Sequence, residues 1–122
     1  MDQVRSLSLK HHLALAALDT GRGDIATIVI LSNVLQLSVY LDVSGDLELF
    51  RRSEVALDEC VARAGQGGPW MLTDDERTAL KTLVVAHDRQ LATVPTHRYL
   101  DALERAQRAN TLDFRVPAHS QG

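Results

Sequence analysis

A single cysteine, Cys60, is all the thiol the 122-residue chain carries, so no disulfide can form within it and no oxidising compartment is indicated. Aromatic residues are scarce, at 4%. The seven glycines and three prolines fall mostly between apolar segments, which excludes collagen-like and low-complexity classes. An excess of positive charge is also missing. With a net charge of −3 and a pI near 5.9, the chain has no general attraction for polyanions, and nucleic acid is not expected as a partner. The sequence contains no HxxxH, ExxH or CxxC spacing, so no metal and no other cofactor is expected.

A membrane span is lacking too, although one run comes near it. "IVILSNVLQLSVYL", residues 28–41, is the longest apolar stretch, but a spanning helix needs about 20 mainly apolar residues. Thr27, Ser32, Asn33, Gln36 and Ser38 interrupt this one. The mean hydropathy of −0.09 agrees. The N-terminal "MDQVRSLSLKHH" carries an acid at position 2, unlike a secretory signal, and no lipidation motif is evident, so a cytoplasmic location is expected.

What is present suits one folded domain. The apolar fraction is 45% and the charged fraction 24%, and a chain of this size hides roughly two-thirds of its unfolded surface on folding. Apolar positions recur at helical spacing throughout. The reading is an all-α, compact helical bundle of four to five helices, residues 1–110, followed by a loosely held tail, residues 111–122, in which Phe114 docks.

Helix signals are clear along the chain. A first helix is expected from Ser6 to Asp19 with Leu7, His11, Ala14, Leu15 and Leu18 inward, closed at Thr20-Gly21. Asp24 caps a second helix reaching about Val43, and Asp46 a third reaching Ala64, with Phe50, Ser53, Leu57, Cys60, Val61 and Ala64 inward. Glu48 with Arg52, and Glu59 with Arg63, pair on its outer face. "GQGGPW" is a loop. Thr73 and Glu76 then form a capping box, with Asp74 and Asp75 in the first turn. Leu80, Leu83, Val84, His87 and Leu91 make that helix's apolar face, and Pro95 ends it near Thr93. A fifth helix, Thr96 to Asn110, turns Tyr99, Leu100, Leu103 and Ala106 inward.

Candidate chemistry is thin, and a non-enzymatic role follows from that. His11 and His12 are adjacent, about 100° apart on a helix, and cannot share a metal as i,i+4 ligands do. His87 is read as a core histidine, and Cys60 as a small core residue. "RGD", residues 22–24, is explained by a turn and a cap. Helices one and two could imitate a helix-turn-helix, but residues 25–43 contain no base to read DNA.

The second helix carries the informative pattern. Being apolar nearly all round, it is expected to be the most buried helix, enclosed on nearly every side by neighbours from one subunit or two. Ala26, Val29, Asn33, Gln36, Leu37 and Tyr40 share one face, which gathers its polar groups into a stripe. The leading expectation is a non-catalytic protein-interaction or regulatory module, a homodimer or a partner of another protein, with Asn33, Gln36, Tyr40 and Trp70 as contact residues. Trp70 is included because tryptophan is enriched at interface hot spots. The alternative is a small-ligand or metal-binding bundle in which Asn33, Gln36, Tyr40 and His87 converge on an internal polar pocket.

Overall fold

A computed structural model describes the backbone of residues 2–42 and 45–121 and the side chains of 5–42 and 45–108. Among the described residues there are five helices and no strand: α1 (Asp2–Asp19), α2 (Ile25–Leu41), α3 (Leu47–Gly65), α4 (Asp74–Thr93) and α5 (Thr96–Gln121). None is long and apolar enough to cross a membrane.

Local sequence sets most of these boundaries. At the end of α1, Gly21 N–H donates to Leu18 O and Arg22 N–H to Ala17 O, the paired closure of a Schellman motif. Gly21 takes the left-handed conformation this requires, at φ 78°. Asp24 then caps α2, accepting from Thr27 N–H at 3.0 Å, while Thr27 Oγ1 accepts from Asp24 N–H at 2.9 Å. The reciprocal bond from threonine was not legible in the usual Glu/Gln form of the box. Asp46 caps α3 and Thr73 caps α4 as expected, the latter with Glu76 completing the box at 3.2 and 2.9 Å.

The centre is built where α2 and α4 cross the other helices. α2 packs against all four of its neighbours, and α3 and α4 form the most extensive pairing. Leu18, Leu31, Val34, Leu80, Leu83, Val84 and Cys60 are fully enclosed in the main core. A smaller core, Leu37 and Leu41 with Ala102 and Ala106, fixes α5 against the C-terminal half of α2.

Two inward assignments need correction, and the chain alone does not enclose α2 on nearly every side: Ile25, Val29, Val39 and Tyr40 are 59%, 50%, 46% and 36% exposed. Its neighbours cover the face of Ile28, Leu31, Val34, Leu37, Ser38 and Leu41 and leave the opposite one open. On α3, Val61 is exposed. On α5, Leu100 points outward, and the inward place goes to Ala102, whose small side chain lets α5 approach α2 closely. The fifth helix also runs past Asn110 to Gln121. The side chains of residues 109–122 lie outside the described set, and with them the expected division at residue 110 and the docking of Phe114.

Candidate functional site

Two arrangements stand out, on opposite faces of α2. The open face combines Ile25, Val29, Ser32, Gln36, Val39 and Tyr40, which recur at the three- and four-residue steps of a helix surface. No charged residue occurs anywhere in Ile25–Leu41. On one flank a groove of about 580 Å³ runs between α2 and α3. Gln36, Val39 and Tyr40 line it from α2, and Phe50, Arg51 and Glu54 from α3. On the other flank Leu9 and Leu13 of α1, each 59% exposed, line a shallower, largely apolar groove with Thr27 and Ile30.

The buried arrangement centres on His87, which is wholly enclosed. Its bonding fixes its protonation by elimination. The Ser38 carbonyl can only accept, so the Gln90 amide nitrogen faces it, at 3.0 Å. Gln90 Oε1 is thereby turned to His87 Nδ1, at 2.8 Å, and Nδ1 must carry the proton and donate. Ser38 Oγ lies 3.1 Å from the same nitrogen. Nε2 is left as a bare lone pair with no protein partner. Burial pushes the His87 imidazole below its ordinary pKa.

His11 of α1 meets this ring, with centroids 5.4 Å apart and planes inclined by 46°. It is buried, and its Nδ1 has no protein partner. Burial, with the neighbouring His87, lowers its pKa to about 4. At the rim, His12 Nε2 lies 2.7 Å from Asp88 Oδ2. Burial raises the Asp88 carboxyl, but the bonds from His12 and Ser8 outweigh it and hold the group below its usual range.

The sequence-derived residues divide between these places. Gln36 and Tyr40 do come together, on the open groove. Asn33 is half-buried beside them and engaged by a neighbour. His87 does not join them: Ser38, its partner, stands two residues from both Gln36 and Tyr40, a step of about 200° round the helix. The four therefore do not enclose one pocket. Trp70 is half-buried against the main core beside Leu72. Among the described residues, no three of His, Cys, Asp or Glu gather as a metal site.

His11 was legible only as an inward residue. Nothing in the sequence placed it against His87, 76 positions away, because that meeting depends on how α1 lies on α4.

No match was found for the chain among family models, curated proteins or solved structures.

Proposed function

We propose that the protein is a non-catalytic interaction module that works as a homodimer, docking through the open face of α2. One observation carries this reading: a 17-residue helix without a charged side chain presents Ile25, Val29, Val39 and Tyr40 to solvent. Exposed apolar side chains gathered on one uncharged helix face mark a contact surface more often than a free one.

A second copy suits the face better than a charged partner, because nothing along α2 would pair with charge, whereas its own mixed apolar and amide face is an uncharged match. Antiparallel pairing about Ser32 and Asn33 sets Ile25 against Tyr40 of the other copy and Val29 against its Gln36. Small Ser32 at the crossing point allows the helices to approach closely, and opposed helix dipoles favour the arrangement. The helix is about 25 Å long. Leu9 and Leu13 on one side and Phe50 on the other widen the strip toward the roughly 800 Å² per partner that a stable contact requires.

The buried imidazoles support the non-catalytic part of the reading, since the bare Nε2 of His87 has no exposed surface through which a substrate could reach it. Cys60, free and buried, suits a reducing compartment, and we assign the module to the cytoplasm. Sedimentation over a concentration series tests the proposal. The wild-type protein should approach twice the monomer mass at micromolar concentration, and Val29→Glu should remain monomeric with its helical content unchanged. A wild-type monomer at high micromolar concentration would refute it.

A further inference from the structure

The seam between α1 and α4 holds two imidazoles that touch without bonding to each other. His11 Nδ1 and His87 Nε2 are both enclosed and both without a protein partner, and Asp88 Oδ1 beside them is in the same position. An unpaired nitrogen on a neutral imidazole costs less here than a charged ring would. A protonated ring fares worse, because it carries charge and a second N–H donor into an enclosed seam where the nearby Asp88 carboxylate is already held by His12.

The groups facing the pair are few. α1 contributes Lys10 and His12, and α4 contributes Asp88 and the neutral amide of Gln90. α2, the third helix at the seam, offers the Ser38 hydroxyl and no charge. Lys10 and His12 act against a charge on His11, and only Asp88 acts for it. Asp88 is already engaged by His12 at 2.7 Å.

We propose that the His11–His87 contact is an acid-sensitive latch: when these rings take up protons, α1 separates from α4 while α3 and α4 stay packed together. The location of the contacts favours that order. α1 is held to α4 through the histidine pair, the His12–Asp88 bond and the Asp19–Arg77 ion pair, so the two enclosed rings lie in this seam. α3 and α4 share the most extensive pairing among the described residues. Leu57 and Cys60 of α3 are enclosed together with Leu80 and Leu83 of α4, and these do not titrate in this range. The preference of folded His11 for its neutral form, from 6.5 to about 4, corresponds to a factor of about 300 in protonation.

Hydrogen exchange of the intact protein, corrected for intrinsic rates, reads the latch directly. Between pH 6 and 4, protection of α1 amides should fall at least about tenfold further than that of α3 and α4. His11→Phe, which cannot be charged, should remove the difference. Simultaneous loss in α1, α3 and α4, or a His11→Phe protein that behaves as wild type, would overturn the proposal. Ring-resonance titration of the wild-type protein decides independently of any variant: a His11 midpoint near 4 supports the latch, and one near 6.5 overturns it.

Discussion

Arg63 of α3 holds Glu76 of α4 with both guanidinium nitrogens, Nη1 to Oε2 at 2.8 Å and Nη2 to Oε1 at 2.5 Å. The same carboxylate accepts from Thr73 N–H, so one side chain closes the capping box and ties two helices. Glu76→Ala should therefore cost about 2 kcal/mol, more than Thr73→Ala at about 1 kcal/mol. Denaturant midpoints of the two variants check the order.

The bonds from Arg63 hold Glu76 below the usual carboxylate range despite opposition from burial. A carboxyl lowered on folding contributes stability that is fully present above its unfolded pKa and lost as pH falls through the folded one. The Glu76→Gln penalty should accordingly be largest at neutral pH and shrink in acid below about pH 4. Urea unfolding of both proteins across this range reads the convergence.

Two glycines near the end of α3 should respond in opposite directions to the same substitution. A Cβ on Gly68 would lie 2.9 Å from the Arg63 carbonyl oxygen, in the closure where Gly68 N–H already donates to that atom. Gly68→Ala should destabilise by about 1–3 kcal/mol, since the backbone must move. Gly65 lies in the helix with open space around it, and Gly65→Ala should stabilise by about 0.5–1 kcal/mol. Thermal unfolding of the pair provides the comparison.

Cys60 should resist alkylation in the folded protein. Its side chain is enclosed, burial pushes the thiol above its ordinary pKa, and the thiolate is the reactive form. Labelling by an excess of iodoacetamide should proceed at the rate at which the chain opens and accelerate sharply in denaturant. Immediate labelling of the native protein would contradict the packing described.

The helices were legible in the sequence because their signals are local: Asp24, Asp46 and the Thr73–Glu76 box each act within one turn. The inner face of α4 was legible for the same reason, since Leu80, Leu83, Val84, His87 and Leu91 stand against polar neighbours. α2 offered no such contrast. With apolar residues on every side, its pattern could not reveal which face the bundle leaves open, and Val29 and Val34 read alike although one is half exposed and the other enclosed. Arg63 was expected to pair with Glu59 one turn away, but its bond to Glu76 depends on how α3 lies on α4. Of the site residues, Gln36 and Tyr40 shared a face by spacing alone, while the place of His87 behind α2 was fixed by Ser38 and Gln90.

The docking of α2 on a second copy is tested most directly by a cysteine at its centre. In antiparallel pairing about Ser32 and Asn33, residue 32 comes close to its own image, within reach of the 4.4–6.8 Å Cα separation of a disulfide. Ser32→Cys, oxidised mildly at low micromolar concentration, should give a covalent dimer that retains native helicity, and Glu48→Cys on the outer surface of α3 should not. Equal cross-linking of both variants, or none at position 32, would contradict the proposed contact.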